Sequence, residues 1–194
     1  SLPQREIEWI DAATQDRILE HIPPQHRHIF RFMFATGVRP SEARALRKRD
    51  IKPDHIVIAV TWTPVKGKGE VLKPPKNRKE EAIPLYDSVR EILAEVPGNL
   101  TEFVFINPVT GRPYSKNINR DYWNKACKKA LGHVVPLNKC CRHSFANQLL
   151  SAGASIEDVS ALLRHSDTRV TKQNYGRPHL QVLKGVVDNV QRLK

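Results

Sequence analysis

The sequence predicts an α+β fold, mostly helical, with one small antiparallel sheet. Three observations predict it. Apolar residues recur at spacings of three and four through most of the 194 residues. One stretch, HIVIAVTWTPV, is instead β-branched and apolar, the composition of a strand, and a shorter run, AIPL, returns after a polar, basic connection. Pro23, Pro24, Gly37 and Pro40 mark boundaries between successive helical patterns.

Taken in order, residues 6–21 place Ile7, Ile10, Ile18 and Leu19 at roughly helical spacing and predict one or two short helices. A second helix is predicted over residues 25–35, with Ile29, Phe32 and Met33 on one face and Gly37 as its stop. Pro40 sits where a first-turn proline belongs and opens a third, PSEARALRKR. HIVIAVTWTPV and AIPL supply the sheet, joined by the basic connection KGKGEVLKPPKNRKEE. Helix resumes over residues 87–95, and FVFINPVTGRPYS reads as a short strand and a turn. Further helices are predicted over residues 116–130, 142–151 and 156–164, with a short one ending near Tyr175. The tail carries Leu180, Leu183, Val187 and Val190 along one stripe of a final amphipathic helix.

Composition narrows the function. Lys and Arg total 32 against 20 Asp and Glu, a formal charge of +12. Such a surplus suits a polyanionic partner, and nucleic acid is the commonest. The plainer alternatives are a solubilising surface or a basic membrane-facing patch, and no isolated basic amphipathic helix supports the second. No apolar run approaches the roughly 18 residues of a membrane span, and the first residues lack the basic flank and apolar stretch of a signal peptide. A soluble, cytoplasmic protein is the expectation. Cys127, Cys140 and Cys141 form neither paired C-x-x-C spacing nor an even set. The last two precede a predicted helix and read as packing residues rather than nucleophiles. His26 and His28 alternate, but nothing nearby completes a metal shell. No metal or cofactor is expected.

The segments that carry chemistry are polar at helix ends. In ATGVRPSEARAL, Arg39 lies between the helix-ending Gly37 and the helix-opening Pro40, so a tight turn presents its side chain. Alone it could be an ordinary surface arginine. In NKCCRHSFANQLLSAGASIEDVSALLRH, Arg142 and His143 are placed in the first turn of a helix, with Phe145, Leu149 and Leu150 inward. Ser155 and Asp158 form a capping box for the next helix, which Val159, Leu162 and Leu163 anchor and which ends at His165. A helix C-terminus favours a protonated imidazole, a donor suited to phosphate. Tyr175 follows ten residues later.

Together these segments resemble the tyrosine recombinase (phage integrase) family. ATGVRPSEARAL is similar to its first arginine box, and RHSFANQLLSAGASIEDVSALLRHSDTRVTKQNYGRP to its second box through to the nucleophile. The resemblance implies a catalytic domain over residues 1–178 and a C-terminal helix over 179–194, whose apolar stripe must be buried either on its own domain or, as the resemblance favours, on a neighbouring protomer. It also implies double-stranded DNA as substrate and a homotetramer on paired sites. An N-terminal DNA-clasping domain usually precedes this one, so the chain is expected to be a piece and to bind DNA weakly alone.

By the same resemblance Arg39 and Arg142 are the two arginines, His165 the later histidine and Tyr175 the nucleophile. Lys76, eight residues before Pro84, is the hairpin lysine, with Lys73 and Lys79 as competitors. Lys139 stands where the family more often has histidine, and the interval from His165 to Tyr175 is ten rather than the commoner nine. These residue types suit strand cleavage. A phenol with a pKa of about 10 is a weak nucleophile whose attack loads charge onto the phosphate oxygens, and planar guanidiniums that stay charged answer that charge. Lys76 is the candidate acid for the departing 5′-oxygen. A type IB topoisomerase and a non-catalytic DNA-binding module are the alternatives.

Overall fold

The computed structural model describes residues 9–74 and 81–164. Lys76, Lys79, His165, Tyr175 and the tail over 179–194 lie outside the described residues, as do the predicted short helix before Tyr175 and the first residues of the segment 6–21.

Helix α1 (Ala12–Glu20) begins at Asp11, whose carboxylate accepts the Thr14 N–H at 2.8 Å. A 3₁₀ turn at Pro24–His26 leads into α2 (Arg27–Thr36), which ends at Gly37 with φ of 63°. Phe30 and Phe34 are buried alongside the predicted Ile29, Phe32 and Met33, so α2 is nearly enclosed. It packs against α4 (Asp87–Ala94) and α6 (Leu137–Ser151), while α5 (Lys116–Leu131) packs on α1.

Helix α3 (Pro40–Ala43) is much shorter than the predicted PSEARALRKR. The Ala45 and Leu46 amides bond back only three residues, to Glu42 and Ala43, which tightens the last turn. Leu46 and Lys48 then spend their backbone groups on Val104 and Glu102, at 2.9 and 2.8 Å. Tertiary pairing replaces what would have been the second half of the helix.

The predicted strand HIVIAVTWTPV divides into β1 (His55–Ile58) and β2 (Thr61–Val65). β1 pairs with β4 (Glu81–Pro84) in the register Ile56 to Ile83, burying both. β2 pairs with β3 (Gly69–Lys73), which lies inside the segment predicted to be only a basic connection. Gly67 and Gly69 both adopt positive φ in the turn between them, a conformation glycine takes without strain. With β5 (Ile106–Asn107) and β6 (Arg112–Pro113), the described residues hold three two-stranded antiparallel pairs instead of one small sheet.

Helix α6 starts five residues before the predicted position, because the Pro136 carbonyl accepts the Lys139 and Cys140 amides at 3.1 and 2.9 Å. Cys140 and Cys141 therefore lie within the helix, fully buried as packing residues, and Arg142 and His143 occupy its second turn rather than its first. Burial pushes the Cys141 thiol well above its ordinary value, which makes it inert as a nucleophile. Helix α7 (Ile156–Leu162) is capped as expected: Ser155 Oγ accepts the Asp158 N–H at 3.0 Å. The main core runs from Ile10 to Cys141, and a separate small cluster of Phe145, Ala146, Val159 and Leu163 joins α6 to α7.

Candidate functional site

Three chain segments meet where α2 ends, α6 passes and α7 ends. Gly37 makes the meeting possible. A Cβ there would stand 2.6 Å from Phe145 Cδ1 and 3.0 Å from Leu163 Cδ2, closer than atoms pack, and its φ of 63° already disfavours any side chain. The missing side chain lets α6 and the end of α7 close over the α2–α3 turn.

Arg142 ties the meeting together. Its side chain is buried, donating from Nη1 to the Gly37 carbonyl at 2.8 Å and from Nη2 to the Leu163 carbonyl at 2.6 Å. Both carbonyls sit at helix C-termini, where a cation is favoured. Two predicted site segments, 105 and 21 residues away in sequence, are thus fixed to one guanidinium.

Arg39 stands at the N-cap of α3, two residues after Gly37, with its side chain 44% exposed. Its Nη1 donates to Glu42 Oε1 at 2.8 Å and its backbone N–H to Glu42 Oε2 at 2.9 Å. Glu42 holds the arginine from below and leaves part of the guanidinium fork open. Lys139 is exposed in the first turn of α6, three residues before Arg142. A lysine near a helix N-terminus opposes the helix dipole unless an anion is held there, so its position fits a phosphate contact. Of the predicted set, the structure fastens the turn that bears Arg39 to Arg142 through the Gly37 carbonyl, and Lys139 precedes Arg142 by three residues on α6. Lys73, a competitor for the hairpin lysine, is exposed at the end of β3 opposite Thr61.

Sequence reasoning missed Glu42, Arg164 and Glu81. Glu42 is buried and accepts a third bond, from Arg164 Nη2 at 2.5 Å, while Arg164 Nε donates to Glu81 Oε2 at 2.9 Å. Burial pushes the Glu42 carboxyl up, but the Arg164 and Arg39 guanidiniums outweigh it and hold the group below its ordinary 4.5. The spacing of Glu42 three residues after Arg39 was the available signal, since such a pair shares a helix turn. Nothing local marked Arg164 or Glu81.

A second polar link fixes the β2–β3 hairpin. Arg44, buried, grips Glu70 bidentately at 2.7 and 2.8 Å and reaches the Tyr114 carbonyl at 3.0 Å, while the Trp62 indole donates to the Arg44 carbonyl. The described tyrosines belong to the main core rather than to this corner. Tyr114 is buried with its hydroxyl 2.8 Å from His26 Nδ1, Tyr122 stacks on the His26 ring, and Tyr86 donates to the Ala35 carbonyl.

This arrangement of helices and small strand pairs is the fold of integrase and recombinase catalytic domains. The chain is similar to the Tn1549 transposon integrase solved with a circular intermediate DNA, with a TM-score of 0.76 and 18% identity over 96% of this chain and 67% of that one. It is likewise similar to the catalytic domain of bacteriophage HP1 integrase, with a TM-score of 0.61 and 22% identity over 87% of each. Residues 1–181 match the phage integrase family, and the chain belongs to it. Among curated relatives, tyrosine recombinase XerC of Oceanobacillus iheyensis is 31% identical over 163 residues, 79% of this chain and 52% of that protein. Tyrosine recombinase XerD of Staphylococcus haemolyticus is 31% identical over 160 residues, 75% of this chain and 48% of that protein. The chain thus spans about half the length of the curated relatives it matches. Among the described residues no helix is long and apolar enough to cross a membrane.

Proposed function

We propose that this chain is the catalytic domain of a site-specific DNA recombinase, acting in the cytoplasm, which cleaves and rejoins strands through a 3′-phosphotyrosine. The observation that carries the reading is the bridging guanidinium of Arg142. By holding Gly37 and Leu163 together it gathers both arginine boxes and the α7 end that precedes His165. Tyr175 attacks the phosphorus, Arg39 and Arg142 neutralise the charge building on the free oxygens, and Lys139 adds a contact to the phosphate. Donors of this kind are each worth about 10²- to 10³-fold in rate. Lys76 protonates the departing 5′-oxygen, and His165 donates to the phosphate. The bond energy stays in the phosphotyrosine, so religation needs no nucleotide.

Family membership and the net charge of +12 support DNA as the substrate. The packing of Tyr114 and Tyr86 supports Tyr175 over them as nucleophile, because burial raises the pKa of Tyr114 and pushes Tyr86 up to about 12. The test has two stages. Junctions made in cells by the full-length protein are sequenced, and a nicked suicide duplex carrying that junction is incubated with this chain. A covalent band is expected from the wild type and none from Tyr175→Phe, with duplex affinity nearly unchanged. A covalent band that persists in Tyr175→Phe moves the nucleophile elsewhere. Relaxation of supercoils without strand exchange would favour the topoisomerase, and binding with no covalent band the non-catalytic module.

The division at residue 178 extends the proposal. The stripe of Leu180, Leu183, Val187 and Val190 supports a terminal helix that buries one face, and family membership favours burying it on a neighbour in a tetramer on paired sites. Deleting residues 180–194 is expected to leave melting and adduct formation intact while abolishing paired-site complexes in a gel. A large loss of melting temperature would show the helix to be part of its own core.

A further inference from the structure

Arg164 is a backbone anomaly as well as a buried charge. Among the described residues it is the non-glycine position with positive φ, 55°, at the point where the chain leaves α7. Left-handed backbone disfavours every side chain larger than glycine's hydrogen, so a residue kept there is held by its contacts. Its side chain is only 3% exposed and spans two carboxylates from different elements: Glu42 in α3 and Glu81 at the start of β4. Glu42 is also the carboxylate that holds Arg39, and its Oε2 is shared between the Arg39 backbone N–H and Arg164 Nη2.

The four residues form one chain of charge, Arg39–Glu42–Arg164–Glu81. It joins the turn that presents Arg39, the α7 end that immediately precedes His165, and the strand that follows the segment bearing Lys76. The groups facing Glu42 are Arg39 from its own turn and Arg164 from α7, with Glu81 of β4 facing Arg164. We propose that Arg164 is a positioning residue of the strand-cleavage centre, holding the Glu42 carboxylate in place so that Arg39 is presented to the phosphate. This rests on the recombinase reading.

The consequence is a pH signature that packing alone does not produce. With Arg164 present, Glu42 stays ionised through mildly acidic solution. Without it, a buried carboxylate keeps only the half-exposed Arg39 as counter-charge and takes up a proton at higher pH. Protonated Glu42 donates where it must accept, and Arg39 loses its anchor.

The experiment follows the Glu42 carboxyl carbon by NMR in the full chain against pH, and in parallel the rate of the Tyr175 adduct on the nicked junction duplex. In Arg164→Gln the Glu42 midpoint is expected to rise by about one to three pH units. The adduct rate should acquire an acid limb at that same midpoint, and at neutral pH it should fall by up to about 10²-fold through misplacement of Arg39. Arg164→Lys, which keeps the charge and loses the fork, should lack the acid limb while recovering only part of the rate. It also serves as the reporting variant should Arg164→Gln not fold. A raised Glu42 midpoint with an unchanged adduct profile overturns the proposal, as does an unmoved midpoint. Absence of any adduct in the wild type overturns the recombinase reading itself, and the positioning role with it.

Discussion

The two apolar clusters of this molecule are built differently. The main core encloses α2 with large side chains, Phe30, Phe32, Met33 and Trp123 all fully buried. The α6–α7 corner has only Phe145, Ala146, Val159 and Leu163 as its apolar centre, and around it Arg142, Arg164 and Glu42 are buried with their partners. Apolar packing is non-directional and tolerates exchanges of similar volume. Buried guanidiniums and carboxylates are directional, and each unpaired group costs heavily. The corner can therefore hold cations at fixed positions, which a larger apolar core could not, and it should fail in a different way when altered.

The largest loss of stability is expected in the main core. Phe30→Ala should cost about 3–5 kcal/mol, read by urea unfolding, through lost burial and a cavity. A cost near 1 kcal/mol would mean that the ring site collapses and the core is looser than its burial implies.

Gly37→Ala should come next. The left-handed backbone costs about 1–2 kcal/mol and overpacking against Phe145 about 1–3 kcal/mol, so one methyl in the corner should approach the effect of a whole ring in the core. The same unfolding measurement decides it, and a neutral result would show the corner to be compliant.

Glu42→Gln tests the ionic half of the contrast, with an expected cost of about 1–3 kcal/mol at neutral pH from the loss of a charged acceptor. The folded carboxyl is held below its ordinary value, so its contribution is present above that value and lost as pH falls through the folded one. The gap between wild type and variant should therefore narrow below about pH 4, near the ordinary carboxylate range. A gap independent of pH would mean that hydrogen bonding alone, and not charge, holds the corner.

Lys139→Ala should change stability least, within about 0.5 kcal/mol, as expected of an exposed residue without a fixed partner role. Adduct formation should nonetheless slow measurably. A stability loss without a change in cleavage would place Lys139 in the fold rather than at the phosphate.

Periodicity, capping and glycine chemistry determined much of this protein. The α2 stop at Gly37, the Ser155 cap of α7 and the helices α4 and α5 follow from local rules that act within a few residues. The motif around Arg39 and that around Arg142 were equally legible, because their residue types and order are written in the chain. What tertiary structure decided lies where local preference is weak or opposed. PSEARALRKR favours helix, yet residues 46–48 pair with 102–104 instead. β3 carries little apolar signal and is held through Glu70 by Arg44, 26 residues away. Arg164 sits in a backbone conformation that its own residue type disfavours, and it meets Glu42 across 122 residues of sequence. Burial of charge is decided by which partner arrives, and no window of sequence contains both partners.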